Sequence, residues 1–180
     1  MHMTLLGLDP GKNWFGYSVV KVKFDPPFRY KVVTTGLVEN VVYDLTKGIR
    51  FQSRSFKREI SGLLRSHGAD ILIAERYQNR GRMMGATIEL VNYMLGVMDS
   101  LRVQDYVVIT AAQWKNAFNK HYDLKEFYRE LPLVPHRVDA TLIALYGAHQ
   151  YIDEASKQFD FLSDAQSIQT LRDRISATAN

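Results

Sequence analysis

The sequence predicts a mixed α/β fold in which a five-stranded sheet is flanked by helices. Two observations support this prediction. The first 38 residues alternate between hydrophobic runs and turn signals, whereas the later residues alternate between helical periodicity and short hydrophobic runs. The predicted order of elements is therefore β-β-β-α-β-α-β-α-α-α, which is typical of a sheet covered by helices.

Three antiparallel strands are predicted at the start of the chain. Residues 4–9 form a hydrophobic run that ends in Asp-Pro-Gly, and residues 14–23 form a second run. The short connection between them contains glycine, which favours a hairpin. A second turn signal, Asp25-Pro26-Pro27, precedes a third predicted strand over residues 30–38.

The first predicted helix covers residues 50–66 and has two different faces. Hydrophobic side chains fall on one arc of the helix and basic side chains on another, so one face packs and the other is strongly basic. The hydrophobic positions are Phe56, Ile60, Leu63 and Leu64, and the basic positions are Arg50, Arg54, Lys57, Arg58 and Arg65.

The remaining elements follow from hydrophobic runs and helix start signals. Residues 70–75 are typical of a strand buried on both faces, residues 84–102 predict a long helix, and residues 107–109 predict a short buried strand. The helix starts are marked by capping-box patterns at Thr110–Gln113, Asp123–Glu126 and Ser163–Gln166, and by Pro135 in a helix that continues to about Gln150.

The composition indicates one water-soluble domain over residues 1–180, with a core at about 4–150 and a helical extension at about 151–180. The chain is 46% hydrophobic and 23% charged, which fits neither a disordered chain nor a membrane protein. It contains no Cys, which excludes disulfides, Cys-type zinc sites, iron–sulfur clusters and thiol nucleophiles. Because no secretory signal is recognisable, we expect a cytoplasmic protein.

The net charge of +4 is unevenly distributed. Basic residues exceed acidic residues in the first 82 positions, most densely between Lys47 and Arg82. Such a patch suits a polyanion, because Lys and Arg side chains that contact phosphates release counterions. A solvated helix face would have the same composition, so composition alone leaves both interpretations open.

Three carboxylates are predicted to meet at one edge of the sheet. Asp9 and Glu75 each end a strand, and Asp139 lies near the start of the last core helix, with His136 one turn earlier on the same face. Neighbouring carboxylates repel, so a cation is expected among them. Hard divalent ions with oxygen ligands fit, and two Mg²⁺ or Mn²⁺ ions would suit phosphodiester hydrolysis. Each residue also has an ordinary structural explanation, since Asp9 suits a turn and Asp139 complements the helix dipole.

Four segments occur together in a characteristic order. They are Leu8-Asp9-Pro10-Gly11 with Gly16-Tyr17, then Ile73-Ala74-Glu75, then Ala112-Gln113-Trp114-Lys115, and then His136-Arg137-Val138-Asp139-Ala140. Over about residues 4–150 the chain resembles the RuvC-type Holliday junction resolvases. The resemblance implies a ribonuclease H-like fold, with three antiparallel strands followed by two parallel ones. It also implies a homodimer and metal-dependent paired nicking of four-way DNA junctions.

The resemblance assigns roles to individual residues. Asp9, Glu75 and Asp139 match metal-binding carboxylates, and His136 falls where family members have a fourth Asp or a His. Lys115 matches a basic residue near the scissile phosphate, and Lys120 or Lys125 would match a second one. Further DNA contacts are expected from the basic helix face and the loop after Glu75, namely Arg54, Lys57, Arg58, Arg76, Tyr77, Arg80 and Arg82.

The sequence departs from the family pattern in the loop after Glu75. The family usually has an aromatic residue three positions after this Glu, where it helps to open the junction. Here that position is Gln78, and Tyr77 lies one place earlier. The substitute role of Tyr77 therefore stays open, and this degree of divergence is what we expect of a phage or viral relative.

The predicted helix over residues 84–102 has two interpretations. Its hydrophobic stripe comprises Ile88, Val91, Met94, Leu95, Met98 and Leu101. These residues would form ordinary core, or they would form the dimer seam that the family builds from the corresponding helix. A symmetric dimer would present two active sites for paired cuts in a two-fold symmetric junction.

Other function classes fit the sequence less well. A phosphate-binding loop is excluded at residues 7–12, because its glycine spacing is too short and Asn13 replaces the required Ser or Thr. An actin-like ATPase needs about twice this length, so we expect no nucleotide cofactor. Two alternatives to a junction endonuclease stay open: a non-catalytic nucleic-acid-binding domain, and a ribonuclease H-like nuclease for flaps, forks or RNA–DNA hybrids.

Overall fold

The computed structural model describes most of the chain as strands and helices. It covers residues 2–11, 14–25, 29–39, 42–43, 50–51, 53–76, 85–101, 103–120, 123–129, 131, 135–149 and 165–178. The strands are β1 (His2–Pro10), β2 (Trp14–Lys23), β3 (Arg29–Glu39), β4 (Val42–Tyr43), β5 (Arg50–Phe51), β6 (Ile71–Arg76) and β7 (Asp105–Thr110). The helices are α1 (Ser53–His67), α2 (Gly85–Asp99), α3 (Ala111–Asn119), α4 (Leu124–Arg129), α5 (Pro135–His149) and α6 (Ala165–Ser176).

The main sheet has five strands in the order β3-β2-β1-β6-β7. The pairs β1–β2 and β2–β3 are antiparallel, whereas β1–β6 and β6–β7 are parallel. The predicted sheet, with three antiparallel strands followed by two parallel ones, is therefore confirmed. The two central strands, β1 and β6, are the ones that end in Asp-Pro and Glu-Arg.

Side chains that alternate along the strands divide between two hydrophobic layers, one on each side of the sheet. On one side, Leu5, Ile71 and Ile73 pack with residues of α3, α4, α5 and α6, including Trp114, Phe127, Val138 and Leu171. On the other side, Leu6, Leu8, Leu72 and Ala74 pack with residues of α1 and α2, including Ile60, Leu64, Met94 and Met98.

The segment before α1 differs from the prediction. Arg50 and Phe51 form a short strand that pairs with Val42 and Tyr43, and the helix begins only at Ser53. Arg50 therefore pairs as a strand residue and is not part of the basic helix face. The two faces of α1 are otherwise confirmed where side chains are described: Ile60 and Leu64 are buried, and Lys57, Arg58 and Arg65 are exposed.

The hydrophobic stripe of α2 contributes to the core of the single chain. Val91, Met94 and Met98 are fully buried. Leu95 and Leu101 are partly buried and pack against the hydrophobic layer on the α1 side of the sheet, which also contains Met94 and Met98. The side chain of Ile88 lies outside the described residues. The core interpretation is thus correct for the buried positions, and a dimer through this helix stays a prediction.

Several predicted helix starts are confirmed. Thr110 and Gln113 form a reciprocal capping box at the start of α3, and Pro135 is the first residue of α5. At α4, a side-chain oxygen of Asp123 accepts a hydrogen bond from the backbone N–H of Lys125. Ser163 lies outside the described residues. Among the helices that the structure describes, none is long and hydrophobic enough to cross a membrane.

The last helix, α6, lies against β3 and the start of α5. The guanidinium of Arg174 lies 4.3 Å from the ring centroid of Tyr30 and donates to the carbonyl of that residue. The guanidinium of Arg137 donates to the carbonyl of Thr178 at 2.8 Å and to the hydroxyl of Thr35 at 2.8 Å. Arg137 therefore connects the first turn of α5 to both β3 and the residues that follow α6.

Candidate active site

Asp9 and Glu75 are brought together by the parallel pairing of the two central strands. Leu8 lies opposite Ala74 in this pairing, so the residues that follow each of them stand side by side. Side chains two residues apart share one face of a strand, and Leu5 and Ile73 both face the layer that contains α5. Both carboxylates therefore belong to the α5 side of the sheet.

Two glycines allow α5 to lie directly against these strands. A methyl group on Gly7 would overlap the carbonyl oxygen of Ala140, and one on Gly16 would overlap the carbonyl oxygen of His136. The absence of a side chain at both positions lets the helix backbone approach the sheet. As a result, the first turn of α5 places His136 and Asp139 beside the end of β1.

His136 is hydrogen-bonded to Asp9. The His136 Nδ1 lies 2.6 Å from the Asp9 Oδ2, and the Asp9 side chain is almost fully buried. The hydrogen bond to Asp9 is the main cause that raises the pKa of His136, and the negative charges of Asp9, Asp139 and Glu75 add to it against the opposing effect of burial. A metal-ligand role for His136 stays a prediction. Because Nδ1 is hydrogen-bonded to Asp9, the histidine would have to bind the metal through Nε2 or give up its contact with Asp9.

Glu75 accepts a hydrogen bond from a tryptophan of α3. The Trp114 Nε1 lies 2.6 Å from the Glu75 Oε2. Burial raises the pKa of Glu75 to about 7, and the nearby charge of Asp9 adds to this rise, while the Trp114 hydrogen bond and the charge of Lys115 oppose it. Glu75 is therefore a half-buried acid whose ionisation is disfavoured by its neighbours.

Asp139 has two polar neighbours, one at each carboxylate oxygen. The hydroxyl of Tyr128 donates to Oδ1, and the Nζ of Lys115 lies 3.9 Å from Oδ2. Burial raises the pKa of Asp139 to about 6, Asp9 adds to the rise, and Tyr128, Lys115 and His136 oppose it. The Nζ of Lys115 also lies 4.8 Å from the centroid of the Trp114 ring, within the range of a cation–π contact.

These contacts place three acids in one electrostatic site. Asp9 stands beside Glu75 through the pairing of β1 with β6, and it is hydrogen-bonded to His136, one turn before Asp139 on α5. In line with this geometry, the charge of Asp9 raises the pKa of both Glu75 and Asp139. Clustered carboxylate oxygens are the donors that hard divalent cations prefer, and a bound cation would relieve their repulsion. The donor chemistry therefore fits Mg²⁺ or Mn²⁺.

The three acidic side chains are not preorganised to coordinate a metal ion. Within the described parts of the chain, no group of three His, Asp or Glu side chains is positioned to hold a metal ion. Each carboxylate instead bonds to a protein donor: Asp9 to His136, Glu75 to Trp114 and Asp139 to Tyr128. Shared coordination of an ion would thus require local rotation of these carboxylates.

The described residues expected to bind DNA fall in three parts of the fold. Arg76 is exposed at the end of β6, directly after Glu75, and Lys120 and Lys125 are exposed at the end of α3 and on α4. Lys57 and Arg58 belong to α1, which packs on the opposite side of the sheet. Tyr77, Gln78, Arg80 and Arg82, and the side chain of Arg54, lie outside the described residues.

Two aromatic residues contact the acids but received no role in the sequence-based prediction. Trp114 stands inside a recognised motif, immediately before Lys115, and this adjacency was the available signal. Tyr128 had no signal, because its contact depends on how α4 lies against α5 and not on any spacing within either helix. Arg137 likewise stands inside a recognised motif, and the sequence predicts no separate role for it.

The five-stranded sheet, with Asp9 and Glu75 at the ends of its two central strands and Asp139 on α5, matches the ribonuclease H-like fold expected from the sequence. Comparison with solved structures supports this fold. The chain is similar to Thermus thermophilus RuvC, with 19% identity, a TM-score of 0.63, and coverage of 83% of this chain and 95% of that one. A structure described as T. thermophilus RuvC in complex with Holliday junction substrate gives 18% identity, a TM-score of 0.62 and the same coverage.

A third solved structure, the yeast mitochondrial Holliday junction resolvase Ydc2, aligns at 14% identity with a TM-score of 0.45, covering 97% of this chain and 80% of that one. No protein-family model matches the sequence, and no curated protein matches it. The similarity to the T. thermophilus protein confirms the RuvC-type fold that the four sequence segments predict.

Proposed function

We propose that the chain is a divalent-metal-dependent endonuclease that resolves four-way and related branched DNA junctions by paired phosphodiester hydrolysis. The observation that carries this proposal is the convergence of Asp9, Glu75 and Asp139: β1 and β6 pair beside each other, and His136 joins the first turn of α5 to Asp9. A cluster of mutually repelling acids would weaken DNA binding unless a cation neutralised it, so a purely structural or binding role leaves the cluster unexplained.

The roles of the residues follow from their positions. Asp9, Glu75 and Asp139 would hold two Mg²⁺ ions, or Mn²⁺ in their place, with His136 as a further candidate ligand. When bound, such ions would supply an activated water and stabilise the departing 3′ oxygen. Lys115, beside Asp139, would offset negative charge on the phosphate as it reacts. His136 would hold a proton between its Nδ1 and Asp9, and in this way orient the Asp9 carboxylate.

Branched DNA is proposed as the substrate from the fold and from the surface charge. The solved structure with the same fold is described in complex with a Holliday junction. In addition, this chain exposes basic side chains on α1, directly after Glu75, at the end of α3 and on α4, namely Lys57, Arg58, Arg76, Lys120 and Lys125. Such side chains would bind the phosphate backbone without reading the base sequence.

Paired nicking requires two active sites, and we propose a homodimer to provide them. Because Val91, Met94 and Met98 are buried within the chain, a dimer contact through α2 would have to use its remaining surface. Asn92, Gly96 and Asp99 lie on that exposed surface at helical spacing.

The direct test is to incubate the purified protein with a labelled four-way junction, a fork and a linear duplex, in Mg²⁺ and in EDTA. The proposal predicts Mg²⁺-dependent nicks at symmetric positions of the junction and little cutting of the linear duplex. Junction binding without any cutting would identify a non-catalytic binding domain. Preferential cutting of forks, flaps or RNA–DNA hybrids would identify a nuclease of broader structure specificity.

A further inference from the structure

We infer that Trp114 and Tyr128 are positioning residues that determine which oxygen of Glu75 and of Asp139 is presented to a divalent cation. The inference rests on the proposed function, because it concerns the same acidic site. The observations are two hydrogen bonds, from the Trp114 Nε1 to the Glu75 Oε2 at 2.6 Å and from the Tyr128 hydroxyl to the Asp139 Oδ1.

Trp114 is a fixed donor and cannot easily follow Glu75. Its side chain is fully buried and lies edge-on to Phe118, with 6.4 Å between the ring centroids. The helix that carries it starts at the Thr110 capping box, directly after β7, in which Ile109 is paired with Glu75. The sheet and the capping box together therefore place the indole N–H beside the Glu75 carboxylate.

Tyr128 bonds to only one of the two carboxylate oxygens of Asp139 and so makes them inequivalent. Its hydroxyl occupies Oδ1, whereas the nearby cation, Lys115, lies 3.9 Å from Oδ2. The neighbouring residue Phe127 is fully buried and anchors α4 in the core on the α5 side of the sheet. The position of the Tyr128 hydroxyl is thus fixed by packing, as that of the Trp114 indole is.

Both donors are neutral, which is the chemical reason for assigning them the role of orienting the carboxylates. A Lys or Arg partner would neutralise the carboxylate and compete with a metal ion, but an N–H or O–H donor orients the carboxylate and leaves its charge available. In Glu75 one oxygen is held by Trp114 while the other can turn towards an ion. In Asp139 the second oxygen, Oδ2, lies 3.9 Å from the Nζ of Lys115, so an ion bound there would have to displace this long contact. Hydrogen-bonded partners of metal ligands typically contribute about 10–100-fold to metal affinity.

The test measures Mn²⁺ binding by electron paramagnetic resonance of the free ion, in the full-length protein without DNA. Trp114→Phe and Tyr128→Phe remove one donor each and keep an aromatic ring. We expect each to weaken Mn²⁺ binding by about tenfold or more, with little change in the melting temperature of the metal-free protein. The matched control is Tyr106→Phe, which removes a hydroxyl that donates to the carbonyl of Leu95 on the opposite side of the sheet; it should bind Mn²⁺ as the wild type does.

Fluorescence provides a second measurement that does not depend on activity. The chain has two tryptophans, so Trp14→Phe leaves Trp114 as the only indole. Mg²⁺ added to this variant should change the Trp114 emission over the same concentration range in which Mg²⁺ binds, because the hydrogen-bonded Glu75 becomes a ligand. The same titration of Trp14→Phe combined with Glu75→Gln should give no such change.

The outcomes separate this inference from the proposed nuclease activity. Mn²⁺ binding that is equally tight in wild type, Trp114→Phe and Tyr128→Phe would overturn the positioning roles even if the protein cuts junctions. Weakened binding in both variants would support them even if the protein cuts no DNA. If Trp114→Phe fails to fold, the Mn²⁺ affinity of Tyr128→Phe alone tests the inference. A wild-type protein that binds no Mn²⁺ would refute it.

Discussion

The His136 Nδ1 and the Asp9 Oδ2 are 2.6 Å apart, although 127 residues separate them in the chain. This contact joins the first turn of α5 to the end of β1 and gives the most deeply buried acid of the site a partner that can carry positive charge. The same two residues were predicted from the sequence as neighbours around a metal ion. The structure shows that they also contact each other directly, and the raised pKa of His136 predicts that the stability contributed by this contact depends on pH.

Replacement of His136 by Gln should destabilise the protein mainly at low pH. Asp9 raises the pKa of His136, so the folded state holds the imidazole proton more tightly than the unfolded chain does. The resulting stabilisation is complete below the ordinary pKa of 6.5 and is lost as the pH rises through the higher pKa of the folded state. Melting temperatures of wild type and His136→Gln, measured over a pH series, should therefore converge at alkaline pH.

A suitable control is His67→Gln, in the last turn of α1 and outside the site. A difference between wild type and His136→Gln that stays constant across the pH series would show that the histidine acts only by packing.

Glu75→Gln should stabilise the metal-free protein above neutral pH. The pKa of Glu75 is raised from 4.5 to about 7, so folding becomes less favourable as the pH rises through this interval, and the full penalty is present above it. Glutamine carries no charge but can still accept the hydrogen bond of Trp114. We expect a gain of about 1–3 kcal/mol in the free energy of unfolding above pH 7 and little gain below pH 4.5, measured by urea denaturation.

Glu59→Gln serves as the comparison, because Glu59 is an exposed acid whose salt bridge with Arg58 contributes little. If Glu75→Gln were less stable than wild type at alkaline pH, the charge of Glu75 would be stabilising and the repulsive cluster would be refuted.

Gly16→Ala should damage the site by displacing α5. The added methyl group would overlap the carbonyl oxygen of His136, which belongs to the helix backbone and cannot rotate away. We expect a loss of about 1–3 kcal/mol in the free energy of unfolding, together with loss of nicking. Gly62→Ala in α1 meets no atom within 4 Å and should be neutral or stabilising, by up to about 1 kcal/mol. Wild-type stability and activity of Gly16→Ala would show that α5 does not need this close approach.

The basic face of α1 should contribute to DNA affinity through phosphate contacts. Lys57→Ala combined with Arg58→Ala removes two exposed positive charges, and the slope of log affinity against log salt should decrease by up to about two. Lys21→Ala combined with Lys31→Ala removes the same charge from exposed positions of β2 and β3 and controls for net charge. Identical slopes in both double variants would place the α1 face away from the DNA.

The sequence predicted those features that depend on local patterns. Hydrophobic runs and turn signals predicted the three antiparallel strands, and the Thr110 capping box predicted the start of α3. The position of Asp9 and Glu75 at strand ends predicted that they would meet if their strands were neighbours. Each of these signals lies within a few residues of chain, and the parallel pairing of β1 with β6 then brings the acids together.

Other features could not be predicted because they depend on tertiary contacts. The two-residue strands β4 and β5 are too short to show any periodicity, so the segment at Arg50 was assigned to the following helix. A hydrophobic stripe such as that of α2 looks the same whether it faces the core or a partner, and only the burial of Met94 and Met98 identifies core. The hydrogen bond from Tyr128 to Asp139 requires the packing of α4 against α5, which no sequence pattern encodes.

The most direct test of the account compares nicking of a four-way junction by wild type and Asp9→Asn in Mg²⁺, with junction affinity measured on the same samples. The substituted amide would still accept a hydrogen bond from His136, but the charge of the central acid would be removed. We expect Asp9→Asn to bind the junction at least as tightly as wild type and not to nick it, while Asp173→Asn, an exposed substitution on α6, behaves as wild type. Nicking by Asp9→Asn at the wild-type rate would contradict the shared role of the three acids.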